Sequence, residues 1–150
     1  MNDDTFISGE KPAPKPTRAW KKSPHLVLVV DDDSDVRQLS VDVLTASGYG
    51  VEACNDGDAG WQALQTRSYD LVITDNKMPK MTGLEMIEKL RSASMALPVI
   101  MATTFLPTSV FVRKPWLEPD AVLQRPCSNE DLLEAVKKVL RKDDNLKSRT

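Results

Sequence analysis

The sequence predicts an α/β domain: a doubly wound, five-stranded parallel sheet covered by helices on both faces. Three observations carry that prediction. Short apolar runs rich in Val, Ile and Leu recur along the chain, each too brief for a helix. Between them lie segments whose apolar residues repeat at three- and four-residue spacing, the pattern of an amphipathic helix. Strands and helices in alternation build βαβ units, which have parallel sheets and right-handed crossovers.

The elements follow in order. Leu26–Val30 reads as a buried strand, β-branched and apolar throughout. Residues 34–47 read as a helix, with Val36, Leu39, Val43 and Leu44 on one face and Gly48 as its stop. Gly50–Cys54 reads as a second strand. Asp56 and Gly57 then turn the chain into a helix through Ala59, Ala63 and Leu64, ending near Arg67. Residues 70–74 form a third strand, and residues 83–93 a helix carrying Leu84, Ile87 and Leu90. Residues 98–102 form a fourth strand and Ala121–Gln124 a fifth. A last helix over 128–142 carries Leu132, Leu133, Val136, Val139 and Leu140, with Ser128 and Asp131 placed as a capping pair.

Bulk properties bound the function. A chain of 150 residues, 41% hydrophobic and 28% charged, suits one domain with its own core. A net charge of -2 gives no electrostatic case for nucleic acid or an anionic membrane as partner. No apolar run reaches the roughly 18–20 residues of a membrane span. The start, MNDDTFISGEKP, lacks the apolar core of a secretory signal. A cytoplasmic chain is expected, with Cys54 and Cys127 as reduced thiols. Residues 1–24 hold Pro12, Pro14, Pro16 and Pro24 among Lys and Arg with no amphipathic period, and are expected to be a disordered tail. The folded domain is expected over 25–142, with a charged tail over 143–150. His25, the lone histidine, reads as incidental.

The stretch LVLVVDDDSDVR crowds Asp31, Asp32, Asp33 and Asp35 at the end of the first strand. Helix capping accounts for one of these acids. A calcium loop would need Gly at its sixth position and Glu at its twelfth, where Val36 and Asp42 stand. In a parallel sheet, ligands bind outside the carboxyl ends of the strands. There Asp31 and Asp32 would meet Asp75 from the third strand, Thr103 and Thr104 from the fourth, and Arg125 from the fifth. Three carboxylates around one pocket repel unless a cation joins them, and hard oxygen donors suit Mg²⁺ or Mn²⁺. A hydroxyl and a guanidinium suit the oxygens of a phosphoryl group. The set points to phosphoryl transfer onto a carboxylate.

Four stretches, LVLVVDDDSDVR, YDLVITDNKMPKMTGLEMI, LPVIMATT and LQRPCSNEDLL, make the chain resemble the receiver domain of bacterial two-component response regulators, a flavodoxin-like fold. The second is the most specific: an apolar strand, Asp75, then Met78, Pro79 and Gly83. The interval from Thr103 to Arg125 fits the family's threonine-to-lysine spacing, whereas Lys114 does not. The resemblance implies a phosphoacceptor role for Asp75, taking its phosphoryl group from phosphohistidine on a histidine kinase or phosphotransfer protein. It implies Mg²⁺ held by Asp32 directly, by Asp31 through water, by Asp75 and by the backbone carbonyl of Lys77. Thr103 would bond a phosphoryl oxygen, and Arg125 would stand for the usual lysine, with a cis bond to Pro126. Asp33 and Asp35 are left as helix-start acids. Since only RKDDNLKSRT follows Leu140, a stand-alone receiver is expected.

The sequence departs from the family pattern at several places. Arg125 offers a planar fork in place of a point charge. Thr104 is bulkier than the residue usual there. Lys77 and Phe105 stand where polar or acidic groups often position the hydrolytic water, so self-dephosphorylation is expected to be slow. Pro107, Pro115 and Pro119 interrupt the fourth helix, at roughly 3 kcal/mol for an interior proline, which leaves at most two turns near 108–114. Val122 takes the place of the family's switch aromatic. Trp116, Phe111 and Leu117 could cover the core or form an exposed partner patch. Two other functions compete: a pseudo-receiver that is never phosphorylated, and a phosphatase of the haloacid dehalogenase type built on Asp31 and Asp33.

Overall fold

The computed structural model describes residues 24–148. The expected tail, including Trp20, lies outside the described residues but for Pro24. The element order is β1 (Leu26–Val30), α1 (Ser34–Ala46), β2 (Gly50–Cys54), α2 (Gly57–Thr66), β3 (Leu71–Thr74) and α3 (Gly83–Ser92). It continues with β4 (Val99–Thr103), α4 (Thr108–Arg113), a 3-10 turn (Pro115–Leu117), β5 (Ala121–Gln124) and α5 (Asn129–Ser148).

The five strands form one parallel sheet in the order β2-β1-β3-β4-β5. The three inner strands carry the longest apolar runs because both of their faces are covered. β3 and β4 are buried along their whole length, and β1 from Val27 onward. The edge strands β2 and β5 are only partly buried.

Alternation along the strands divides the core in two. Leu28, Val30, Val72 and Met101 face α2, α3 and α4, meeting Leu64, Met86, Ile87, Leu90 and Phe111. Val27, Val29, Leu71, Ile73 and Ile100 face α1 and α5, meeting Leu44, Leu132, Val136 and Leu140. Each of the two layers thus rests on a helix stripe visible in the sequence. Truncating a fully buried side chain such as Ile87 to Ala costs about 2–5 kcal/mol.

Side chains cap α1, α2, α3 and α5. Asp33 accepts N–H bonds from Asp35 and Val36 at the start of α1. Asp56 accepts from Ala59. Thr82 and Glu85 form a reciprocal capping box on α3. Ser128 and Asp131 exchange bonds ahead of α5.

One expectation is corrected. The chain past residue 142 is not a tail up to Ser148, because α5 continues through it. These turns are held by polar contacts rather than an apolar stripe: Lys147 pairs with Asp143 at 3.0 Å. His25 Nε2 meets Asp144 Oδ2 at 3.2 Å and ties α5 to the start of β1.

The fourth helix is short, as the prolines require. α4 has six residues and no side-chain cap. Of the three residues left open there, Phe111 and Leu117 enter the core and Trp116 stays exposed. Cys54 and Cys127 are free thiols. Among the described residues, no helix is long and apolar enough to cross a membrane.

Candidate functional site

Strand register builds the site. Val30 is level with Thr74, and Thr103 with Gln124. The residues that follow, Asp31, Asp75 and Arg125, therefore leave the sheet on one rim together with Thr103. The ladder carries on into the acids themselves: the Asp31 N–H donates to Cys54 O at 3.1 Å, and the Asp75 N–H donates to Val30 O at 3.1 Å.

Asp31, Asp32 and Asp75 each offer a carboxylate oxygen, and these oxygens lie within 4.8 Å of one another. Their surroundings differ. Asp31 is buried, Asp75 half-buried and Asp32 exposed. Asp31 Oδ1 accepts the Asp33 N–H at 3.0 Å, and Oδ2 accepts from Arg125 Nη1 at 2.7 Å. Burial raises the Asp31 carboxyl above the ordinary carboxylate range. The Asp33 N–H and the Arg125 guanidinium pull it down, and the charge of Asp75 adds a smaller push upward.

Asp75 is held by the loop between β3 and α3. Its Oδ1 accepts the Asn76 N–H at 2.7 Å, and its backbone carbonyl accepts from Thr74 Oγ1 at 2.7 Å. Asn76 closes the loop: its carbonyl accepts from Gly83 N at 2.9 Å and its Oδ1 from Leu84 N at 3.0 Å. Gly83 allows this close approach, since a Cβ there would lie 2.3 Å from the Asp75 carbonyl oxygen. Met78 and Met81 pin the same loop into the core.

Thr103 is buried at the end of β4, and its carbonyl accepts the Arg125 N–H at 2.9 Å. The bond from Arg125 to Pro126 is cis. Asp75, Asn76, Lys77, Thr103, Thr104 and Phe105 line a cleft of about 390 Å³. The structure thus gathers the acids, the hydroxyl and the cation that the sequence singled out. Arg125 lies nearer Asp31 than Asp75, with Nη1 2.7 Å from Asp31 Oδ2 and 4.0 Å from Asp75 Oδ2. One residue was missed: Arg37 Nη1 donates to the Asp31 carbonyl at 2.8 Å and braces the acidic turn. Its place six residues along, on α1, gives no sequence signal for that contact.

Residues 27–137 match the family model described as response regulator receiver domain. The chain belongs to that family. It is 29% identical over 116 residues to the transcriptional regulatory protein RprY of Bacteroides fragilis, covering 77% of this chain and 49% of that protein. It is 34% identical over 119 residues to the response regulator MprA of Mycobacterium sp. (strain KMS), covering 79% and 52%. The chain spans about half the length of these curated relatives. A CheY-like receiver domain protein from Methanospirillum hungatei superposes with a TM-score of 0.77 at 28% identity, covering 82% of this chain and 98% of that one.

Receiver domains belong to two-component signal transduction and partner with histidine kinases. The acidic triad of this receiver is typical of the family's Mg²⁺ site. Its donor set fits that ion: the oxygens are hard, their charge calls for a cation, and the exposed Asp32 leaves room for water ligands.

Proposed function

We propose that the chain is a phosphoacceptor receiver that takes a phosphoryl group from phosphohistidine onto Asp75. The observation that carries this reading is the division of labour within the Asp75 carboxylate. Oδ1 is occupied by the Asn76 N–H, which orients the group, and among the described residues Oδ2 has no backbone donor. Oδ2 acts as nucleophile. A new O–P bond forms as the N–P bond of phosphohistidine breaks, and the imidazole leaves as the neutral ring once it holds a proton.

The remaining residues take the roles their positions support. Asp32, Asp31, Asp75 and the Lys77 carbonyl would hold Mg²⁺, which when bound supplies positive charge to the transferring oxygens. The Thr103 hydroxyl donates to a phosphoryl oxygen. The Arg125 fork offers further N–H donors to the same group. Phe105, 76% exposed at the cleft, has no polar atom to orient water, which favours a long-lived acyl phosphate. The partner is a histidine kinase or a phosphotransfer protein, and the setting is the cytoplasm.

The pairing of Arg125 with Asp31 favours the pseudo-receiver as second reading, because it ties up the lysine substitute. Acetyl phosphate with Mg²⁺ separates the readings. A stable acyl phosphate, absent from Asp75→Asn, supports the receiver. No reaction supports the pseudo-receiver. Donor turnover that persists in Asp75→Asn supports the haloacid dehalogenase-type phosphatase.

A further inference from the structure

We propose that the side-chain amide of Asn76 positions the phosphoacceptor, by fixing the Asp75 carboxylate to the start of α3. The inference rests on the phosphoacceptor reading and names a further residue of that site. An α-helix begins with N–H groups that have no partner within the helix. On α3, Glu85 N donates to Thr82 Oγ1 at 3.1 Å, a cap made within the first turn. The two N–H groups before it are taken by one residue from the preceding loop. Gly83 N donates to the Asn76 carbonyl at 2.9 Å, and Leu84 N donates to Asn76 Oδ1 at 3.0 Å. The N–H of the same Asn76 donates to Asp75 Oδ1 at 2.7 Å. Three bonds through one residue thus join the carboxylate to the helix.

The helix end of this link is rigid. Met86, Ile87 and Leu90 are fully buried, so the core sets where α3 lies. At the loop end, the bond from Gly83 N alone would leave a pivot. The Oδ1 bond to the next amide stops rotation about it. Two bonds to neighbouring helix amides fix how residue 76 sits, and so where its own N–H points. That N–H holds Asp75 Oδ1, so Oδ2 is left in one orientation for attack. The fit is close: a Cβ on Gly83 would lie 3.1 Å from Asn76 Cα. The residue type follows from the task. An amide oxygen accepts without charge. Aspartate would also accept, but would add a fourth carboxylate beside Asp31, Asp32 and Asp75. Leucine has a similar shape and no acceptor. Asn76 acts through Asp75, as a positioning residue rather than a catalytic one.

The rate of Asp75 labelling by acetyl phosphate with Mg²⁺ in the full chain tests this, at a temperature where circular dichroism shows each variant folded. In that reaction Asp75 Oδ2 bonds to phosphorus as the bond to the acetate oxygen breaks, and acetate leaves. Asn76→Leu keeps the side-chain shape and removes the acceptor. It is expected to be labelled about tenfold more slowly than wild type, well within what misplacement of a reacting group costs. Its Leu84 amide should also lose protection from hydrogen exchange. Asn76→Ala replaces it if Asn76→Leu does not fold. Thr82→Ala removes the other cap of the same helix, and should lower the melting temperature yet label at the wild-type rate. Asn76→Asp restores the acceptor, and with saturating Mg²⁺ should recover both the protection at Leu84 and most of the lost rate. Labelling of the Leu or Ala variant at the wild-type rate, or equal slowing in Thr82→Ala, overturns the positioning role and leaves the phosphoacceptor reading standing. So does an Asn76→Asp that is protected at Leu84 yet no faster than Asn76→Leu. No labelling of wild type overturns the phosphoacceptor reading, and this role with it.

Discussion

The Cβ that Gly57 lacks would lie 2.0 Å from the carbonyl oxygen of Met81. The first turn of α2 is therefore flush against the loop that carries Asn76 and Lys77. Lys80 Nζ, 3.7 Å from Asp56 Oδ2, closes the same seam. Gly57→Ala must push the Met81 backbone away, since the contact is with main chain and not with a flexible side chain. The expected cost is about 1–3 kcal/mol by denaturant melting. Asp75 labelling should also slow, because the displaced loop orients its carboxylate. A variant as stable as wild type would show that the seam yields freely.

Asp31 gives a pH dependence of definite sign. Burial holds its carboxyl above the ordinary value, so the folded chain keeps the Asp31 proton more tightly than the unfolded chain. Its contribution is fully present below the unfolded value, near 3.8, and is lost as pH rises through the raised folded value. At neutral pH without metal, ionised Asp31 is a cost to the fold. Asp31→Asn should therefore melt higher than wild type at pH 7 in a chelator, with the gap narrowing toward pH 4. A gap that widens on acidification would contradict the assignment.

Output should travel through the segment after Thr103. α4 has no side-chain cap, and Phe105, Val112 and Trp116 are exposed. The segment is tethered at its far end by Arg91, whose Nε donates to the Trp116 carbonyl at 3.1 Å. A hydroxyl drawn toward a phosphoryl group at Thr103 would pull residues 104–117 as a stiff, proline-braced unit. Beryllofluoride should change hydrogen exchange there more than around Val122, which is exposed and has no ring to bury. Changes confined to Val122 and α5 would favour the ordinary family switch.

Phe105 supplies a lifetime prediction. Its side chain is largely in solvent, so replacing it leaves the core intact. Phe105→Glu should shorten the half-life of the acyl phosphate by adding a group able to orient water. An unchanged half-life would place the limit on hydrolysis elsewhere.

The sheet and the acids were legible in the sequence for one physical reason. A parallel strand buried on both faces must be apolar until it ends, so Asp31 and Asp75 mark where β1 and β3 leave the core. The short α4 was legible because proline excludes interior helix. The last turns of α5 were not, because Arg141–Ser148 region residues are mostly polar and are held by ion pairs such as Asp143 with Lys147. The partner of Arg125 was hidden too. Its chemistry suited a phosphoryl group, and only the folded rim shows that Asp31 lies closer. The Gly57 contact was hidden in the same way: Asp56-Gly57 reads as a turn, and its fit against Met81 belongs to tertiary structure alone.

The central claim is that Asp75 receives the phosphoryl group, and chemical trapping tests it most directly. The full chain is treated with acetyl phosphate and Mg²⁺, then with borohydride, which reduces an acyl phosphate to an alcohol and converts the labelled aspartate to homoserine. Peptide mass spectrometry should find homoserine at position 75 in wild type and at no position in Asp75→Asn. Homoserine at position 31 or 32, or none in wild type, would contradict the account.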